Sequence, residues 1–289
     1  LNKSCRHISL NEPQNKTNIF NRIRLIICRI YTLNKIISND KIDFIITWWN
    51  IPNLMGGIYK IFYKKTYIIN SIHNSFFIQN NFEKLILILS KKVNKIVFVS
   101  KEAENIAKLK FNLQNSCTIY NFTSDTKYIY KNDKSVGAIK FLIVWRLDKN
   151  KNHEFIINCF NELYKKWYIN IELDIIWTWN LSEYLKSYTS NLESSMNIKF
   201  LWQKNNVEQI ISKYSYLLMA SKYEWFPTVF IEAIKNWLPI ITTDFKTWAK
   251  EIIRNNNITK DCTKVEVWIN GILTPQDMNS YIDWLEKWI

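Results

Sequence analysis

Glycine is almost missing from this sequence, with 4 residues in 289, against roughly 7% in ordinary chains. That shortage leaves tight turns without the residue that usually makes them. Long apolar runs are missing too. None reaches the roughly 18 residues that a membrane span needs, so the expectation is a soluble or peripheral protein. Cysteine is sparse: Cys5, Cys28, Cys117, Cys159 and Cys262 are odd in number, widely spaced and form no CxxC pair. That pattern argues against a zinc or disulfide framework and for reduced cytosolic thiols. Leu1 opens the chain with no charged-then-apolar signal pattern after it. The expected origin is a partial reading frame or a trimmed domain. No internal repeat or low-complexity tract stands out.

Tryptophan, by contrast, is abundant. Its 13 residues and the 4 glycines together make a near-normal glycine count. Several tryptophans fall where a turn wants glycine. Trp145 follows the apolar run Phe141-Leu-Ile-Val, and Trp177 and Trp179 flank Thr178 after Ile171–Ile176. Trp237 and Trp167 follow helical patterns, at positions where glycine is preferred. Most of these tryptophans are therefore expected to be glycines in the living cell, where a reassigned stop codon would be read as glycine. Indoles at Trp145 or Trp225 are expected to fill or distort a ligand turn, and at least some of positions 145, 177, 179, 225 and 237 to show unusual φ, crowded rotamers or rings in the cleft.

Charge is divided unevenly. Residues 1–137 carry 21 Lys and Arg against 8 Asp and Glu, a balance of +13, and the rest of the chain balances at +1. Such a field favours a polyanion, either nucleic acid or an anionic membrane surface. A general lysine bias explains the lysines but not the asymmetry.

Apolar spacing at 18–39, interleaved with Arg22, Arg24 and Arg29, predicts a basic amphipathic helix. Strands are predicted at 42–47, 66–69, 95–99 and 117–120, with helices at 82–93 and 101–109. Residues 121–137 are polar and aperiodic, a candidate linker. The second half alternates clearly. Its predicted strands are 139–144, 171–176, 198–201, 216–219 and 240–243. Its predicted helices are 153–166, 181–192, 207–213, 228–236 and 279–288. Alternation with apolar strands predicts a parallel, doubly wound sheet. Ligands in such sheets bind beyond the carboxyl ends of the strands. The turns after Val144, Ile176, Leu201 and Met219 should then line a site.

Chemistry-bearing residues fall on such turns. Arg146 sits at a strand end and Lys151 at the mouth of the next helix. Two cations beside helix N-terminal amides suit a diphosphate, although a basic turn alone is commonly a solvated loop. Glu224 and Glu232 are eight apart around a largely apolar turn into a helix. Carboxylates there can accept hydrogen bonds from sugar hydroxyls, while helix-start amides hold phosphate. Spacing alone equally allows a helix-start charge and a solvated helix residue. His73, in Ser71-Ile-His-Asn, follows a first-half strand, where a lone histidine is commonly structural.

In sequence order, Trp145-Arg-Leu-x-x-x-Lys151, Ile176-Trp-Thr-Trp-Asn, Glu224-Trp-Phe-Pro-Thr to Glu232, Asn236-Trp-Leu-Pro-Ile-Ile and Asn270-Gly-Ile-Leu-Thr-Pro resemble the signatures of retaining glycosyltransferases of family 4. Trp145 and Trp225 stand where that family has glycine. Asp43-Phe-Ile-Ile, Ile72-His-Asn and Phe98-Val-Ser-Lys101 match more loosely. Thr247-Trp-Ala-Lys-Glu-Ile-Ile253 resembles a variant found in members building lipid-linked oligosaccharides or surface polysaccharides.

The resemblance implies an α/β protein of the GT-B type, with two Rossmann-like doubly wound domains facing a cleft. Residues 1–130 would form a partial, N-terminally incomplete acceptor domain and residues 138–289 the nucleotide-sugar domain. The family's opening strand, glycine-rich loop and helix have no counterpart in the sequence, nor does its final crossing helix. The implied activity is hexosyl or N-acetylhexosaminyl transfer from a nucleotide diphosphate sugar, of UDP type, with retention of configuration. The acceptor would be a glycan on a polyprenyl diphosphate. Arg146 and Lys151 would stabilise the leaving diphosphate, Glu224 would hold donor-sugar hydroxyls and Glu232 the ribose. Phe226, Pro227 and Thr228 would shape the turn, and His73 would reach the sugar. No Asp-x-Asp motif stands at a strand end, so no metal and no further cofactor is expected. The expected location is cytoplasmic, peripheral on the inner face of the cell membrane, with no nucleic-acid partner. Two other readings remain: a non-catalytic relic of this fold, and a basic nucleic-acid-binding protein, which leaves the second-half motifs unexplained.

Overall fold

The computed structural model describes residues 19–73, 80–122, 137–146, 149–178, 182–202, 210–224, 227–245, 248–255 and 260–288. By internal contacts the chain forms two compact units. Unit 1 comprises residues 1–72, 76–97 and 107–117, and unit 2 comprises 73–75, 98–106 and 118–289. No described helix is long and apolar enough to cross a membrane.

The first half alternates strand and helix around a sheet of order β1-β2-β3-β4. Its strands are β1 (Phe44–Trp48), β2 (Tyr67–Ile72), β3 (Lys95–Phe98) and β4 (Ser116–Thr118). Its helices are α1 (Ile19–Asn39), α2 (Asn50–Phe62), α3 (Asn81–Ser90) and α4 (Lys101–Phe111). β1 and β2 are parallel, with Ile46 opposite Ile69. Ile30 and Ile37 of α1 are buried, whereas Ile27 and Tyr31 on its other side are exposed. The apolar stripe of this basic helix therefore packs inward.

α2 was not foreseen. Its segment contains Pro52, Gly56 and Gly57, residues that argue against a helix interior. Pro52 stands in the first turn, where the missing N–H has no intrahelical partner anyway. The two glycines allow close packing. A Cβ on Gly56 would lie 2.7 Å from Asn70 Oδ1, and one on Gly57 would lie 2.8 Å from Leu89 Cβ. Beneath α2, Thr47 Oγ1 lies 2.6 Å from Asn53 Oδ1 and 2.7 Å from Asn70 Oδ1, its one proton shared between these two acceptors, and Asn70 Nδ2 donates to Ser90 Oγ at 2.7 Å. This buried network ties β1, β2, α2 and α3 together.

Unit 2 holds a seven-stranded sheet of order β10-β11-β9-β8-β5-β6-β7. The strands are β5 (Ile139–Arg146), β6 (Ile171–Thr178), β7 (Ile198–Trp202), β8 (Tyr216–Met219), β9 (Ile240–Thr243), β10 (Glu266–Trp268) and β11 (Gly271–Thr274). All are parallel except β10, which pairs antiparallel with β11. Side-chain alternation buries both faces. Phe141, Ile143 and Leu218 enter one core, with α5 (His153–Lys165), α6 (Ser182–Ser190) and α9 (Met278–Trp288). Leu142, Leu217 and Met219 enter the other, with α7 (Thr228–Lys235) and α8 (Ala249–Ile253).

The strands run longer than expected. β5 continues through Trp145 and Arg146, and β6 through Trp177 and Thr178, because Trp145 pairs with Trp177 and Arg146 with Thr178. Trp177 is thus a strand residue rather than the first of a turn. The helix expected at 207–213 falls mostly outside the described residues, as do Trp179 and Trp225.

Candidate functional site

Chain direction locates the crevice. From β5 the chain winds outward to β6 and β7, and from β8 it winds the other way to β9 and β11. The topological switch therefore lies between β5 and β8. Beyond the carboxyl ends of such strands the loops part to opposite faces and leave room for a ligand.

Two turns meet there. After β5 comes a 3-10 turn, Lys149–Lys151, and after β8 the loop Ser221–Glu224. Asn150 joins them. Its Nδ2 donates to Tyr223 O at 2.6 Å, its Oδ1 accepts from Tyr223 N at 3.2 Å, and its carbonyl accepts from Lys222 N at 2.9 Å. So braced, Lys151 and Glu224 face each other. Lys151 Nζ donates to both carboxylate oxygens of Glu224 at 2.6 Å. Ser221 Oγ donates to Glu224 Oε1. Lys151 is 9% exposed and Glu224 5%. A buried ion pair holds together only when geometry and further hydrogen bonds offset its desolvation, and Ser221 supplies one such bond.

Arg146 is the last residue of β5, and its side chain lies outside the described set. Phe226 also lies outside it. Pro227 is buried at the N-cap of α7, and exposed Thr228 is its first helical residue. Pro227 has no side-chain acceptor with which to cap this helix start, and Phe230 N donates to Pro227 O at 2.8 Å. Glu232 lies one turn further along α7 and is half-buried. His73 follows β2 and is half-buried, and burial holds its pKa below the ordinary histidine value.

Beside the paired turns is a cavity of about 600 Å³. Lys149, Asn152, His153, Glu154, Tyr184 and Lys222 line it. Sequence reasoning passed over Asn150, Ser221 and Lys222. Polar loop residues give no signal of their own, although Ser221 stands three residues before Glu224. Among the described residues no group of three His, Cys, Asp or Glu could hold a metal ion.

Comparison with known proteins bears on this arrangement. The chain is 28% identical over 232 residues to a Campylobacter jejuni N-acetylgalactosamine-N,N'-diacetylbacillosaminyl-diphospho-undecaprenol 4-alpha-N-acetylgalactosaminyltransferase. The match covers 75% of this chain and 62% of that enzyme, so the chain spans less than two thirds of the relative's length. Among solved structures, a Rickettsia africae glycosyltransferase superposes with a TM-score of 0.73 at 17% identity, covering 97% of this chain and 74% of that one. The Anabaena protein HepE, solved with UDP and glucose, gives a TM-score of 0.68 at 14% identity, with 95% and 74% covered. Both likenesses place the fold among GT-B proteins. The family model for glycosyl transferases group 1 matches residues 124–287. That stretch is more than half of the chain and contains every element of the crevice, and the chain belongs to the group 1 glycosyl transferases.

Proposed function

We propose that the protein moves a sugar from a nucleotide diphosphate sugar, of UDP type, to a hydroxyl of a glycan carried on a polyprenyl diphosphate, with retention of configuration. The bond from the anomeric carbon to the diphosphate breaks, and a bond to the acceptor oxygen forms on the same face as the acceptor proton leaves. Residues 138–289 take the donor and residues 1–130 contribute to the acceptor side. The transferred group is a hexosyl or N-acetylhexosaminyl unit.

The observation that carries this reading is the buried Lys151–Glu224 pair at the switch point. The pair holds one group suited to phosphate and one suited to sugar hydroxyls. Lys151 and Arg146 stabilise charge on the leaving diphosphate. Glu224 receives donor hydroxyls, Glu232 the ribose, and His73 the sugar. Phe226, Pro227 and Thr228 form the turn. No metal, further cofactor or nucleic acid takes part. The relative's undecaprenol-linked activity and HepE's UDP and glucose support the choice of acceptor and donor.

The location follows from charge. With +13 on residues 1–137, the first half docks on the anionic inner face of the cell membrane, from the cytoplasmic side. Turnover of the full-length protein against a panel of nucleotide sugars tests the reaction. Arg146→Ala and Glu224→Ala should each reduce the rate by ~10²–10³, and NMR of the product should show the donor's anomeric configuration. Near-wild-type turnover in both variants refutes the site assignment.

A further inference from the structure

Among the described residues, seven non-glycine positions have positive φ: Lys41, Trp49, Asn112, Asn152, Trp167, Trp237 and Asn255. Asparagine visits this region readily because its short side chain bonds the local backbone. For a bulky residue it is an outlier. Yet tryptophan supplies as many of these positions as asparagine does.

Two of them share one geometry. After α5, Trp167 N donates to Tyr164 O at 3.0 Å and Tyr168 N to Leu163 O at 3.2 Å. After α7, Trp237 N donates to Ile234 O at 3.0 Å and Leu238 N to Ala233 O at 2.9 Å. Each pair of bonds is a complete Schellman motif with tryptophan at C′, the position that glycine ordinarily fills. φ is 69° at Trp167 and 55° at Trp237. The third, Trp49, lies at φ 77° and ψ 168° before α2, a region occupied essentially by glycine alone.

All three indoles are exposed. Trp49, Trp167 and Trp237 are 56%, 86% and 76% exposed. Trp248 and Trp284, which do fill cores, are 1% and 3% exposed and have no positive φ. The backbone at 49, 167 and 237 thus has glycine geometry, and the side chains at 167 and 237 bury little.

We propose that positions 49, 167 and 237 are glycine in the protein as its native cell makes it. The codon at each is one that the cell decodes as glycine and that another decoding renders as tryptophan. The inference is independent of the proposed reaction, since it rests on backbone geometry away from the Lys151–Glu224 pair.

Tandem mass spectrometry of peptides from the protein purified from its native cell reads the three positions directly. Glycine at two or three of them is expected, and tryptophan at two or three overturns the proposal. A second measurement uses the tryptophan-bearing chain. Replacing Trp167 and Trp237 together by glycine should raise the melting temperature by about 4 °C or more. Trp284→Gly should lower it, because that indole is buried. An unchanged or lowered melting temperature in the W167G/W237G variant also overturns the proposal.

Discussion

Gly271 shows what positive φ looks like when the residue fits it. Its φ is 145°, and a Cβ there would lie 2.2 Å from Ile240 O and 2.9 Å from Ile240 N. Gly271→Ala would force β11 from β9 and strain the backbone, a loss of about 2–5 kcal/mol in urea unfolding. Tryptophan in a left-handed turn costs roughly 1–2 kcal/mol per residue. Lys151 presents a different constraint. Lys151→Ala leaves the Glu224 carboxylate buried opposite no ammonium, and removing one partner of such a pair costs about 3–5 kcal/mol. A Lys151→Met/Glu224→Leu double variant should recover most of that stability while losing turnover. Denaturant titration of the single and double variants measures the coupling.

At the next scale, α4 is held from a distance. Glu251 of α8 is 3% exposed. It accepts from Lys101 N at 2.6 Å, Glu102 N at 3.3 Å, Ser100 Oγ at 2.8 Å and Tyr120 Oη at 2.7 Å. A carboxylate from the far end of the chain thus caps the helix, and that is why residues 98–106 group with unit 2. Glu251→Ala strips the cap and leaves buried donors unmet, a loss of about 3–5 kcal/mol. Glu251→Gln, which keeps an acceptor, should lose less. None of this was legible beforehand, because a cap supplied across about 150 residues leaves no local pattern. The long strands and helices of the second half were legible, since β5 is a continuous apolar run, β6 alternates, and α5 and α9 keep apolar residues at a 3.6-residue period. α2 was hidden by its glycines and proline. The β10–β11 hairpin could have been found, because Asn270-Gly271 is a hairpin turn signal. At the site, Lys151 and Glu224 were singled out separately for ligand binding. Their bond to each other was not anticipated, since 73 residues separate them.

Over the whole molecule, charge governs two measurable properties. Each basic residue near an anionic surface contributes about 1 kcal/mol, and salt screens it. The protein should therefore co-sediment with anionic liposomes at low salt and release at high salt. Equal binding to neutral vesicles would count against membrane docking. The second property is acid–base. Burial raises the pKa of both Glu102 and Asp244. In the window from the ordinary carboxylate value up to the raised one, the folded state binds more protons than the unfolded chain. Their contribution is complete below that window and is lost as pH rises through it. Glu102→Gln should therefore gain stability relative to the wild type as pH rises above the ordinary carboxylate value of about 4, as read by urea midpoints. Finally, the Lys151–Glu224 bond bears on inhibition by product. In the proposed reaction a sugar nucleotide compensates both partners when it separates them, giving phosphate to Lys151 and hydroxyls to Glu224. The nucleoside diphosphate left after transfer compensates only Lys151. Once the sugar has gone, re-formation of the ion pair competes with the spent nucleotide for that lysine, so the resting geometry itself favours product release and turnover.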